Sequence, residues 1–418
     1  MIKQLRAQDW PVTPLDLGGA MQNARPQSQF KMETLLSALR EMKYGGIAVG
    51  PEELRIGAGW LLSQDSTPAE AGKPDDGLHF LAANVTLFGT ADLATPVRHR
   101  ILTAGGLKIG VTAVFGNSFK DKLGTVDPSE IQIADPAAAL LTAINALQAQ
   151  KPDLLVLVSH ATLLESQDLA KKFPALNVVF STGPSEEPLA DNPQQIGDTL
   201  LVTVGHKGKY VGLLGYYPDA AKQKYRFNMV RLGGDRFKDD PQMIKQMQLY
   251  QDRLKDENLV ETEPALKHFS SAKFVGAEKC GECHTKAFAK WKETGHASAF
   301  ESLKHGRLGI SRIADPECIA CHTVGWNARD VMRYESGYSH FEKTAHLKNV
   351  QCESCHGPGS KHIELIDADQ KVEASKLVRV TLDEAKRKYL CQNCHDNDNS
   401  PKFEIETYWP KVAHPGKD

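Results

Sequence analysis

Val350-Gln-Cys352-Glu-Ser-Cys355-His356-Gly-Pro-Gly-Ser-Lys-His362 holds two cysteines separated by two residues, with a histidine directly after the second. The same arrangement recurs at Cys280-Gly-Glu-Cys283-His284, Cys318-Ile-Ala-Cys321-His322 and Cys391-Gln-Asn-Cys394-His395. These four motifs account for all eight cysteines of the chain. In a c-type haem, two thiols add across the two vinyl groups of the porphyrin, and a two-residue spacer sets their separation. The adjacent histidine then reaches the iron as its proximal ligand. Zinc ribbons share the Cys-x-x-Cys spacing but need no histidine after each pair. Redox dithiols use it once per domain, and iron–sulfur clusters gather four cysteines without the histidines. The pattern therefore predicts four covalently bound haem c groups. Cys280, Cys283, Cys318, Cys321, Cys352, Cys355, Cys391 and Cys394 are the attachment residues, and His284, His322, His356 and His395 the proximal ligands.

Ten of the 15 histidines lie in residues 271–418. Beyond the four proximal ones remain His296, His305, His340, His346, His362 and His414. Four irons take at most four of these as distal ligands.

Working outward, 418 residues exceed one compact core and predict two or three domains. With 41% hydrophobic and 24% charged residues the composition is globular, which excludes disorder or coiled coil for the whole chain. Fifty basic residues against 52 acidic ones leave a net charge of -2, so nucleic acid is not an expected partner. No apolar run has the length of a membrane-spanning helix. MIKQLRAQDW at the start holds no stretch of signal-peptide length.

Residues 1–235 read as an α/β domain, with β-rich runs alternating with amphipathic segments. Strands are expected at Val12–Leu17, Gly46–Val49, Phe80–Val85, Lys108–Phe115, Asp153–Val158 and Asn177–Phe180. Helices are expected at Met32–Met42 and Pro136–Ala149, the second capped by Asp135. Thr199–Val204, Tyr210–Tyr217 and Tyr225–Leu232 read as antiparallel edge strands. Residues 236–270 predict a connecting helix with Met243, Met247, Tyr250 and Leu254 on one face. Residues 271–418 carry every haem motif and predict a mainly α domain, packed on its porphyrins because so few residues per haem cannot build a protein-only core.

The C-terminal part resembles the tetrahaem cytochrome c-554 family. The likeness rests on Phe274-Val-Gly-Ala-Glu-Lys-Cys280, Trp291-Lys-Glu-Thr-Gly-His296-Ala, the stretch from Val350 to His362, and Tyr408-Trp-Pro-Lys-Val-Ala-His414. The resemblance implies His296 as distal ligand to the haem of His356 and His362 to that of His284. His414 is then the candidate for the haem of His395. In the family's founding type the second haem has no distal ligand. Here His346, flanked by apolar Ala345 and Leu347 and tethered close to Cys352, is expected to fill that place ahead of His340 and His305. All four irons are then six-coordinate.

The N-terminal part resembles the metallophosphoesterase domain of bacterial 5′-nucleotidases, which implies an α/β sandwich. Asp16-Leu-Gly-Gly19, Ala48-Val-Gly-Pro51, Val158-Ser-His160 and Phe180-Ser-Thr-Gly183-Pro-Ser185 stand where that family carries its metal motifs. In this register Gly19, Pro51, Gly183 and Ser185 replace ligands and only His160 survives, so no two-metal site and no phosphoesterase activity are expected. His160 then reads as a packed or surface histidine.

These readings predict an electron-transfer cytochrome with four haem c groups and an appended, non-catalytic domain, exchanging electrons with other redox proteins. The alternative is a multihaem oxidoreductase acting on a small nitrogen or sulfur compound at one open haem. Haem attachment of this type takes place outside the cytoplasm. The protein is therefore expected to be exported, periplasmic or extracellular, and shown without its leader.

Overall fold

The structure, a computed structural model, describes residues 1–21, 25–66, 77–90, 93–124, 126–183, 185–221 and 223–414. It divides into two units, Met1–Gln246 and Met247–Asp418. The division falls within the helix Pro241–Asp256, inside the stretch read as a connection.

The first unit is built on a six-stranded sheet. Its strands run in the order His99–Ala104, Leu107–Phe115, Leu154–His160, Val178–Ser181, Thr199–Thr203 and Gln194–Ile196. The first two form a hairpin through Gly105 and Gly106, both at positive φ (59° and 79°). A two-residue turn with this handedness matches the strand twist and suits glycine. The four central strands are parallel, while Gln194–Ile196 closes the edge antiparallel to Thr199–Thr203. Every residue of Leu154–His160 is buried. That follows from a parallel strand covered on both faces, and it explains the unbroken apolar run Leu154–Val158.

Alternation along that strand feeds two cores. Leu155 and Leu157 pack with Leu140, Ala143, Ile144 and Leu147 of the helix Pro136–Gln148. Val156 and Val158 face the opposite layer, with Ala48, Leu81 and Val111. The helix starts where the sequence predicts it, since the Asp135 carboxylate accepts from the Ala138 amide at 2.8 Å and Pro136 opens the first turn.

Three strand expectations need correction. Val12–Leu17 forms no ladder beyond a bridge of Asp16 to Ile47, because Pro14 lacks the amide a ladder needs. Phe80–Val85 is split. Phe80–Leu81 pairs with Ile47–Ala48, and Val85–Leu87 turns away to pair antiparallel with Ile131–Ile133. Thr199–Thr203 is an inner strand, parallel to Val178–Ser181 and buried throughout. Tyr210–Tyr216 and Tyr225–Arg231 do form an antiparallel hairpin.

The second unit is mainly helical, in short pieces, with a small sheet of Ala265–Leu266, Met332–Tyr334 and Trp326–Asn327. Its core gathers Val260, Phe300, Leu303, Ile319, Val324, Trp326, Tyr338 and Leu347. Large apolar side chains stay uncovered on the elements around the histidines: Ile366, Val372, Leu377, Tyr389 and Tyr408.

Candidate haem sites

Each attachment motif begins on a short helix. Ala277–Gly281 carries Cys280, Pro316–His322 carries the whole second motif, Cys352–His356 the third, and the turn Cys391–Asn393 opens the fourth. One helical turn puts the two cysteines of each pair on neighbouring faces. Asp315 caps the second motif through the Glu317 amide (3.1 Å), with Pro316 in the first turn.

Residues flanking the third motif tie it to the first. The buried Glu353 carboxylate accepts from the amides of Val275 (3.0 Å), Gly276 (2.8 Å) and Gly359 (2.7 Å). The Gln351 side chain accepts from Ala277 and donates to the carbonyls of His346 and Lys348. Burial raises the Glu353 carboxyl above its ordinary value, against the lowering effect of those amides.

Cysteines of different motifs lie near one another: Cys280 near Cys352, and Cys321 near Cys394. Cys391 of the fourth motif lies near Cys355 of the third. The motifs therefore follow one another in space in the order first, third, fourth, second.

The histidines settle into pairs. His284 and His362 have ring centres 6.2 Å apart, His356 and His414 5.8 Å, and His395 and His296 6.0 Å. Two in-line metal–imidazole bonds of about 2.0 Å, with each ring centre roughly 1 Å behind its nitrogen, put the centres ~6 Å apart. The residues thus fit an iron between each pair. The far nitrogens of His356, His362 and His395, and that of His322, are engaged as a ligand requires. Nδ1 of His356 donates to the Val378 carbonyl, that of His362 to Ala374 (2.9 Å) and that of His322 to Ala299 (2.7 Å). This fixes the tautomer that leaves Nε2 free for a metal. His395 instead places Nδ1 2.8 Å from the Ser400 hydroxyl. Burial lowers the pKa of His296, His356 and His395, which favours the neutral ring that binds iron.

Two of these pairings are exchanged relative to the resemblance-based expectation. The His296 ring lies against His395, and His414 lies against His356. The His296 carbonyl is still tied to the third motif by the Val350 amide, and Trp291 Nε1 donates to the Val350 carbonyl. Only the ring turns toward the fourth motif. Among the described residues no imidazole is paired with His322. His346 sits beside Gly276, held through its carbonyl by Gln351, and its ring does not meet that of His322. The His340 Nδ1 caps a turn by accepting from Glu342 and Lys343, and His305 is exposed at the end of Glu301–Lys304. Sequence reasoning missed Ala299, Ala374, Val378 and Ser400. A carbonyl partner leaves no trace in residue type, and Ser400 was legible only as one of many turn serines.

In the first unit, the positions of the expected metal motifs are filled by protein. The Glu53 carboxylate, fully buried, accepts from the amides of Gly19 (3.0 Å), Ala20 (2.9 Å) and Gly50 (2.8 Å). His160 donates from Nδ1 to the Leu17 carbonyl (2.9 Å), stacks on Phe115 and takes the edge of Phe119. A Cβ at Gly19 or Gly50 would stand 2.9 or 2.6 Å from its ring. Pro51 opens the helix Pro51–Ile56, and the Ser185 hydroxyl donates to the Glu187 carbonyl. Gly183 has φ of 73° beside Thr203. Among the described residues no three His, Cys, Asp or Glu side chains are grouped to hold a metal ion, and no helix is long and apolar enough to cross a membrane.

Residues 279–357 match the family described as Cytochrome c554 and c-prime. Cytochrome c-554 of Nitrosomonas europaea is 35% identical over 101 residues, covering 22% of this chain and 40% of that cytochrome. The reduced-state structure of cytochrome c554 from Nitrosomonas europaea covers 34% of this chain and 79% of its own, at 28% identity and a TM-score of 0.22. A 5′-nucleotidase precursor from Thermus thermophilus covers 61% of this chain and 52% of its own, at 18% identity and a TM-score of 0.49. Within the second unit, residues 279–357 carry the similarity to cytochrome c554, which supports covalently bound haem c at the Cys-x-x-Cys-His motifs they contain.

Proposed function

We propose that this protein is an exported tetrahaem cytochrome that relays electrons between redox proteins, its first unit serving as a non-catalytic scaffold. Bound haem supplies a one-electron ferric–ferrous couple at each iron. The chain's part is to fix geometry and environment. His284 with His362, His356 with His414, and His395 with His296 would each hold one iron between two imidazoles, so that little would rearrange when charge changes. Carbonyl partners at Nδ1 of His356 and His362 keep those rings from rotating. The proximity of Cys280 to Cys352, Cys355 to Cys391 and Cys394 to Cys321 supports a path in the order first, third, fourth, second motif. The three imidazole pairs near 6 Å carry this reading.

A second reading is favoured by one observation: among the described residues His322 faces no second imidazole. With a single imidazole that iron keeps one face for a small nitrogen or sulfur compound, and the relay would serve it. Filling of the first unit's cleft by Glu53 and His160 supports a scaffold role there. Haem attachment outside the cytoplasm supports a periplasmic or extracellular location. Intact mass of the matured protein tests the proposal: four haem groups above the polypeptide are expected, and three or fewer overturn the count.

A further inference from the structure

Five residues beyond His395 the chain folds back to hold that ring. The Asp396 carboxylate accepts from the amides of Asp398 (2.9 Å) and Asn399 (2.7 Å), and its carbonyl from Ser400 (2.8 Å). The Phe403 amide donates to the Ser400 carbonyl (2.9 Å), which brings the Phe403 ring flat against His395, 4.5 Å between centres at 13°. The same turn delivers the Ser400 hydroxyl to His395 Nδ1. His322, His356 and His362 give their Nδ1 protons to main-chain carbonyls, which no substitution removes. At His395 the partner is a side chain.

We propose that Ser400 is a positioning residue that sets the redox potential of the haem carried by His395. The proposal rests on the reading that a haem c is attached at Cys391 and Cys394. With Nε2 on the iron, Nδ1 carries the proton and donates to the Ser400 oxygen. A better acceptor draws that proton away, makes the imidazole a stronger donor and favours ferric iron, which lowers the potential. A hydroxyl is a weaker acceptor than a carboxylate, so this ligand stands at an intermediate setting that substitution can move both ways.

Spectroelectrochemical titration of the full-length haem-loaded protein tests this, with a haemochrome count on each variant. Ser400→Ala should raise one of the four potentials, Ser400→Asp should lower the same one, and Ser400→Thr, which keeps the hydroxyl, should leave it in place. A residue that only holds the turn would not reverse sign between alanine and aspartate. If Ser400→Asp fails to mature, the alanine and threonine variants decide. Four haems with all potentials unchanged in Ser400→Ala, or shifts of one sign in both the alanine and aspartate variants, overturn the proposal. Wild-type protein lacking a haem at Cys391 and Cys394 overturns instead the reading on which it rests.

Discussion

At the scale of single residues, the filled cleft of the first unit creates a testable titration. Burial of the Asp16 carboxyl, with Glu53 nearby, pushes it up to about 6 despite the Gly18 amide. A carboxyl raised in the folded state favours the protonated form. Its contribution is therefore present below about pH 4 and is lost as pH rises through 6. The shift corresponds to about 3 kcal/mol. Asp16→Asn should flatten the stability of the first unit between pH 4 and 7, with the variant gaining on the wild type as pH rises. Parallel pH profiles for the two proteins would rule out this account of Asp16. The haem c character of the Cys-x-x-Cys-His motifs was legible in the sequence because its chemistry is local, fixed by a five-residue pattern. Ring pairings were not, because the reach of His296 toward His395 depends on how Gly295–Ser298 turns, which no spacing encodes.

At the scale of elements, the first unit depends on its central strand. Leu157 is fully buried between the helices and the sheet. Leu157→Ala removes its packing and leaves a cavity, so a loss of about 3 kcal/mol is expected, read as a lower denaturant midpoint for the first unit. A change below about 1 kcal/mol would show that the helical layer collapses to fill the space. Strands of this kind were readable as apolar runs, and Pro136–Gln148 as a capped helix. What escaped was pairing. Thr199–Thr203 looked like the edge strands that follow it, since composition does not say which neighbour a strand meets. The edge His99–Ala104 lacks the apolar run that marks a central strand, and only the Gly105–Gly106 turn betrays it.

At the scale of the whole molecule, the second unit gathers six of its histidines into three pairs with ring centres near 6 Å. The central claim is that three irons lie between two imidazoles each and the iron at His322 has one. Spin quantitation by electron paramagnetic resonance on the oxidised, fully matured protein tests it most directly. An iron with two imidazoles is low-spin, and one with a single imidazole is high-spin. The account predicts four ferric centres per chain, three low-spin and one high-spin, with carbon monoxide binding to one centre only after reduction. Four low-spin centres, or a total below four, would contradict it.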